Sequence, residues 1–275
     1  MGGLTIIVPV KAAVPNVTAV RLDPVTHNLV REGGVPLMLN PYDRNALEFA
    51  LKLKDKYGGK VITLSMAPPS GKDFLESTIG MGADEAYLIT DRVFAGADTL
   101  ATSYTVARSI QRLFPNFDLI VFGEETTDST TAHMPAQVAS WLSLPYVYYA
   151  VDAEVKLEDR LIVVTRYLED EGVYETYEYK MPIIISVYKN SNPPRDISLT
   201  KKVEAKLNGL VKMVDNNTLK LERECVGLRG SPTIVAKIED AKPIERKKQI
   251  FKGDPREAAK WLLENLTKEG GVIKP

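Results

Sequence analysis

The sequence predicts an α/β protein: a doubly wound, mostly parallel sheet, an antiparallel extension of that sheet and an extended C-terminal arm. Three observations lead there. Short apolar runs rich in β-branched residues alternate with segments of helical period through the first half of the chain. From about residue 146, strand-like runs follow one another across short polar turns. After Tyr188 the regular patterning fades.

The elements follow in order. Strands are expected at Leu4–Val8, Val61–Leu64, Tyr87–Ile89 and Leu119–Phe122. Between them, Pro41–Tyr57 places Ala46, Ala50, Leu53 and Tyr57 on one helical face, with Asn40 in the N-cap position, Pro41 first in the helix and Asp43 in its first turn. Asp98–Phe114 repeats the pattern with Leu100, Tyr104, Ala107, Ile110 and Phe114. A further helix is expected from about Thr131. The second half reads as strands at Tyr146–Tyr149, Ala153–Leu157, Leu161–Tyr167, Tyr174–Tyr179 and Ile183–Tyr188. KNSNPPRD is a loop by its asparagines and paired prolines. Residues 200–253 carry too few apolar residues in register for a core and read as an arm packed on a partner. A last helix opens at Asp254-Pro255, with Ala258, Trp261, Leu262 and Leu266 on its apolar face. The expected organisation is an α/β domain over 1–190, a recognition loop and arm over 191–253, and a helix and tail over 254–275.

Composition narrows the function classes. The chain has 275 residues, 44% of them hydrophobic, and a net charge of -1, so the basic face of a nucleic-acid binder is not expected. Cys225 is the sole cysteine, which excludes an intramolecular disulfide and a cysteine-rich metal site. His27 and His133 lie far apart, and no metal centre is expected. The N-terminal apolar run stops at Lys11, so it reads as a strand rather than a targeting or spanning segment. No run of spanning length follows. The expectation is a cytoplasmic protein with no direct membrane insertion, any membrane association coming through partner subunits.

The strongest local feature is 118–142, an apolar strand running into Gly123, a polar loop and a helix. Gly123 permits close approach of a ligand to the backbone. Thr126, Thr127, Ser129, Thr130 and Thr131 offer hydroxyls and N–H groups ahead of a helix N-terminus, where a phosphate sits well. Asp128 can cap the turn or take a ribose hydroxyl. Read by pattern alone, the segment is either such a cradle or an ordinary helix cap. In 29–50, Arg31 can reach an anion, and Asn40, Tyr42 and Asp43 either face the mouth of the sheet or simply cap a helix. There is no nucleophile–base constellation, no dinucleotide G-x-G-x-x-G and no Walker loop. Gly227 and Gly230 make a poor phosphate loop. Any redox chemistry must be carried by a cofactor, not by a catalytic side chain.

Taken together and in order, VPVKAAVPN, LNPYDRNALEFALKLK, VITLSMAPPS, IGMGADEAYLI, FGEETTDSTTAHMPAQVASWLSLP, VTRYLEDEGVYETYEYKMPIIISV and NPPRDISLTKKVEAK resemble the beta subunit of electron-transfer flavoproteins over about residues 4–205. The resemblance implies an adenine-nucleotide-hydrolase-like fold and an electron-transfer subunit that works with an alpha subunit. It carries adenine-nucleotide contacts onto Pro9, Val10, Asn40, Pro41, Tyr42, Asp43 and Met66. It carries phosphate contacts onto Gly123, Glu124, Glu125, Thr126, Thr127, Asp128, Ser129, Thr130, Thr131, Ala132, His133 and Met134. A partner-docking loop falls on about Asn192–Lys206, with Leu199 at its tip. Residues 20–48 and GLRGSPTIV at 227–235 are similar to the electron-bifurcating, nitrogen-fixation-associated subgroup. That likeness implies FAD in the site, NADH as hydride donor, and electrons passed to ferredoxin and to a quinone-oxidoreductase-type subunit or dehydrogenase. The conventional members of the family imply AMP instead. Pro15-Asn16, His27, the Gly33-Gly34 pair and Tyr177 depart from the subgroup's pattern.

Overall fold

A computed structural model describes residues 3–13, 21–22, 29–30, 38–234 and 248–268. Arg31, His27, Pro15-Asn16, the Gly33-Gly34 pair and much of the 20–48 segment lie outside the described residues, as does Val235. The chain divides into two compact units, residues 1–237 and 238–275.

In the first unit, nine strands among the described residues form one sheet. They are β1 (Leu4–Pro9), β2 (Gly59–Met66), β3 (Glu85–Ile89), β4 (Leu119–Gly123), β5 (Tyr146–Lys156), β6 (Leu161–Leu168), β7 (Val173–Lys180), β8 (Ile183–Val187) and β9 (Val211–Val214). Their order is β7-β6-β5-β8-β4-β1-β2-β3-β9. From β5 to β9 every neighbouring pair runs parallel, and β5, β6 and β7 are antiparallel. The doubly wound sheet and its antiparallel extension are therefore both present.

The helices are α1 (Pro41–Tyr57), α2 (Lys72–Met81), α3 (Thr99–Leu113), α4 (Met134–Leu142), α5 (Leu199–Leu207) and the short α6 (Asn216–Leu219). They cover both faces of the parallel part. Leu4, Ile6 and Val8 pack with Leu47, Leu51 and Leu75 on one face. Ile7 packs with Ile62, Ile110, Ile120 and Val138 on the other. A strand buried on both faces needs no polar alternation, which is why β1, β4 and β8 are almost wholly apolar, with Thr5 and Ser186 as the polar exceptions.

Three expectations are corrected here. Tyr146–Tyr149 and Ala153–Leu157 are one strand, β5, whose pairing shifts register near Tyr149. Tyr149 has φ 59, so the chain kinks there without breaking. Ile183–Val187, read together with the antiparallel runs, returns to the parallel sheet between β4 and β5. Residues 199–219 are not an extended arm. Helix α5 packs on α2, and β9 is an edge strand beside β3. Four residues with the two ends buried are too few to show a period. Part of what holds β9 is polar: Lys212 Nζ lies 2.6 Å from Glu85 Oε2 and 3.0 Å from the Tyr87 hydroxyl. The Lys212 hydrogen bond, helped by those of Tyr87 and Lys60, takes the Glu85 carboxyl down to about 2.

In the second unit, α7 (Pro255–Lys268) follows Asp254, whose Oδ1 accepts from Arg256 N at 2.8 Å. Among the described residues no helix is long and apolar enough to cross a membrane, and no group of three His, Cys, Asp or Glu side chains can hold a metal.

Candidate nucleotide site

The sheet order reverses between β1 and β4: the chain proceeds from β1 outward through β2 and β3 on one side, and to β4 and β8 on the other. In an open α/β sheet the crevice at such a switch point, beyond the carboxyl ends of the strands, is where ligands bind. A cavity of about 420 Å³ opens there. Pro9, Val10 and Lys11 line it after β1, Met66 at the end of β2, and Gly123, Glu124, Glu125 and Thr126 after β4. Ser129, Thr131, Ala132, His133, Met134 and Asp43 complete the sequence-derived residues in its wall.

The loop between β4 and α4 has an unusual backbone. Thr130 and Ala132 have φ 46 and φ 52, left-handed values that a side chain with a Cβ adopts at a cost. A left-handed residue followed by a right-handed one, as Ala132 and His133 are, has the backbone of an anion nest, whereas the Thr130 N–H is spent on Thr126 O at 2.9 Å. The same left-handed residues stop a helix from starting at Thr131, as the sequence suggested; α4 starts at Met134. His133 stands in its N-cap position and makes no side-chain cap, so the positive end of α4 faces the loop unneutralised. Next to this wall, Gln137 donates from Nε2 to Thr99 Oγ1 at 3.5 Å, while its Oε1 is buried and finds no partner among the described residues. A helix N-terminus without a side-chain cap, opening on a loop of strained backbone, fits an anionic ligand.

Asn40, Pro41, Tyr42, Thr127, Asp128 and Thr130 do not line the cavity. Several of them hold its wall in place. Asn40 is fully buried and does not cap α1. Its Nδ2 donates to Glu125 O at 2.7 Å, and its Oδ1 accepts from Thr127 N at 3.4 Å. Lys11 Nζ reaches Asp128 Oδ1 at 2.7 Å. Burial pushes the Asp128 carboxyl up, but the hydrogen bonds of Lys11, Thr126 and Ser129 together outweigh it and hold the group below its usual range. Asp43 Oδ2 accepts from Lys11 N at 2.7 Å, and the Gly123 N–H also bonds to this carboxylate. Burial dominates there and pushes Asp43 up to about 7.

Gly123 is needed for a reason other than the one its place in the sequence suggests. A Cβ there would stand 2.6 Å from Asp43 Oδ1 and 2.7 Å from the Tyr42 carbonyl carbon. The close approach is made by the N-terminus of α1, which locks the end of β4 against the end of β1.

A family model, the electron transfer flavoprotein domain, matches residues 28–207. The chain belongs to the electron transfer flavoprotein family. It is 40% identical to an electron transfer flavoprotein subunit beta of Thermoanaerobacterium thermosaccharolyticum over 253 residues, 92% of this chain and 94% of that one. It is 40% identical over 223 residues to the Caffeyl-CoA reductase-Etf complex subunit CarD of Acetobacterium woodii, covering 81% and 82% of the two chains. It is 36% identical to Protein FixA of Azotobacter vinelandii over 261 residues, 92% and 91% of the two.

In this member of the family, sequence reasoning missed part of the cavity wall: Ala97, Asp98, Thr99, Thr102, Val106 and Phe122, with Lys11 and Ser65, also line the cavity. The signal available was the Asp-Thr helix start at Asp98, which resembles any capped helix. In the segment 192–206, Asn192 and Arg195 are tied down: Asn192 Nδ2 donates to Asn45 O at 3.1 Å, and Arg195 Nε lies 2.8 Å from the buried Glu48 carboxylate. Leu199 opens α5 and is 74% exposed, with Val203 and Leu207 one and two turns on, both exposed.

Proposed function

We propose that this chain is the beta subunit of a heterodimeric electron-transfer flavoprotein that binds FAD in the switch-point cavity. In this reading it oxidises NADH and divides the electrons between ferredoxin and a quinone-linked acceptor. The observation that supports the reading is the make-up of the switch-point cavity: beside the N-terminus of α4 and the loop before it, it offers the hydroxyls of Thr99 and Thr102 and the apolar groups of Val106 and Phe122.

The nest, the N-terminus of α4 and Lys11 would hold phosphate. Pro9, Val10 and Met66 form the apolar strand ends against which a flat base packs. When bound, the flavin supplies hydride acceptance and one-electron transfer. The protein's own contribution is to hold the nucleotide in a water-poor crevice and to present a docking face. The exposed Leu199, Val203 and Leu207 form one apolar stripe on α5, suited to a redox partner.

The test is a cofactor count on the chain co-purified with its alpha subunit and then denatured. Two FAD and no AMP per heterodimer are expected. One FAD with one AMP would overturn the bifurcating reading and leave a conventional carrier that passes electrons through the alpha-subunit FAD.

A further inference from the structure

The switch-point cavity is walled in part by carboxylates: Asp43, Asp98, Glu124 and Glu125 all line it. Most of the acidic groups here are answered by nearby donors. Asp98 Oδ1 accepts from Ala101 N at 3.0 Å, and its Oδ2 accepts from the Thr233 hydroxyl at 2.7 Å. Glu124 Oε2 accepts from Lys189 N at 2.9 Å, and Glu125 bonds to the Tyr42 hydroxyl. Asp128, behind the wall, takes the Lys11 ammonium at 2.7 Å. Asp43 differs from these. It is 6% exposed, and among the described residues no cation lies within ion-pair distance of it. Its donors are neutral: the N–H groups of Lys11 and Gly123 and the Asn40 side chain.

We infer that Asp43 is a proton acceptor in the cavity wall: an anionic nucleotide binds with uptake of a proton from solvent by this carboxylate, which changes from a repelling group into an O–H donor. The inference rests on the reading of the cavity as a nucleotide site, whichever nucleotide fills it.

The geometry supports it in two ways. First, Asp43 shares one cavity with the N-terminus of α4, where a phosphate sits well. A ligand there brings negative charge toward a buried carboxylate and covers what water still reaches it. Both effects favour the neutral acid. Second, the ligand-free group is already poised. Burial pushes Asp43 up to about 7, so near neutral pH a small further push completes its protonation. The charges that face it come from several elements. Lys11, after β1, favours the ionised form but is held by Asp128. Glu124 and Glu125 after β4 and Asp98 at the head of α3 oppose that form. His133 lines the cavity at the start of α4, and Arg44 follows Asp43 on α1. Glu124 is the rival acceptor, because burial pushes its carboxyl up as well.

The experiment is calorimetric titration of FAD, and separately of AMP, into the full chain with its alpha subunit, the alpha-subunit FAD in place and the cavity emptied. At pH 7.5, two buffers of different ionisation enthalpy give the number of protons taken up. Wild type should take up about half a proton or more per nucleotide, and its affinity for FAD should weaken about tenfold from pH 6.5 to 8.5. Asp43→Asn should show no uptake and hold its own affinity within about twofold over that range, while Glu124→Gln should keep the uptake. Equal heats in the two buffers for wild type would overturn the inference and leave the nucleotide reading standing. Uptake that persists in Asp43→Asn, or that is lost in Glu124→Gln alone, would overturn the assignment to Asp43. A cavity that takes neither FAD nor AMP at any pH would overturn the nucleotide reading and the inference with it. The wild-type proton count needs no variant, so it stands even where a substitution folds poorly.

Discussion

The carboxyl end of the parallel strands and the antiparallel extension at the other edge of the sheet are both rich in polar side chains, yet they use them differently. On β5–β7 the polar groups are paired across strands: Lys156 with Glu178 at 2.7 Å, Arg166 with Glu175, Thr165 with Thr176 at 3.1 Å. Each group finds its partners within the extension, Arg166 and Glu175 sharing the Tyr177 hydroxyl as well. At the switch point a carboxylate is buried at Asp43 and the N-terminus of α4 has no side-chain cap; left-handed non-glycine residues occur in both regions, Thr130 and Ala132 here, Tyr149 and Arg160 there, so they do not separate the two. Groups held at a cost in stability mark a site; groups that satisfy one another mark scaffold.

Substitution can break that contrast, and the largest effect is expected at Gly123. Gly123→Val drives a side chain into Asp43 and Tyr42. It should destabilise the protein by about 3 kcal/mol, as overpacking against backbone does, and abolish nucleotide binding. Urea unfolding and a nucleotide titration measure both; a variant that still binds nucleotide as wild type does would show that the α1–β4 lock is dispensable.

Asp43→Asn sharpens the contrast by separating stability from binding. The carboxyl moves from 3.8 to about 7 on folding. A raised carboxyl pKa means that stability is complete below the unfolded value and is lost as pH rises through the folded one. The ligand-free variant should thus gain on wild type as pH rises from 4 to above 7, by on the order of a few kcal/mol, set against a pH-independent loss because an amide cannot accept from both Lys11 N and Gly123 N. For the same reason nucleotide affinity should fall about tenfold. Guanidinium unfolding at the two pH values reads the first effect. A stability difference between variant and wild type that is the same at both pH values would remove Asp43 from the set of strained groups.

The smallest effect belongs to the extension. Lys156 and Glu178 are about half exposed, and such pairs contribute little in water. Lys156→Met should leave both the unfolding midpoint and nucleotide affinity at wild-type values. A loss of affinity would show that the hairpin communicates with the cavity and that the division drawn between the two regions is false.

How far these regions were legible beforehand depended on the length of the local signal. Pro41–Tyr57 was read to the residue, because an Asn-Pro entry and four turns of one-sided apolar pattern agree with each other. The nest was legible as a Ser/Thr loop between a strand and a helix, but nothing in FGEETTDSTTAH announces left-handed Thr130 and Ala132. Asn40 was readable as a cap and turned out to hold a loop 85 residues away. Asp98, Ser231 and Thr233 each look ordinary alone, and only the tertiary structure makes them hydrogen-bonded neighbours.

By itself, then, the order of apolar runs and helical periods determined the α/β class, the doubly wound sheet with its antiparallel extension, and the loop after the fourth strand as the place to look for a ligand. These are local quantities, set by side-chain period and by the residues that start and stop elements. The tertiary structure decided that β8 returns to the parallel sheet, that Val211–Val214 closes its edge, and that Gly123 makes room for a helix. It also decided that Ser231 and Thr233 bond to Asp98 in the cavity wall. Each of these depends on the distance between segments far apart in the chain, and sequence period carries no information about that distance.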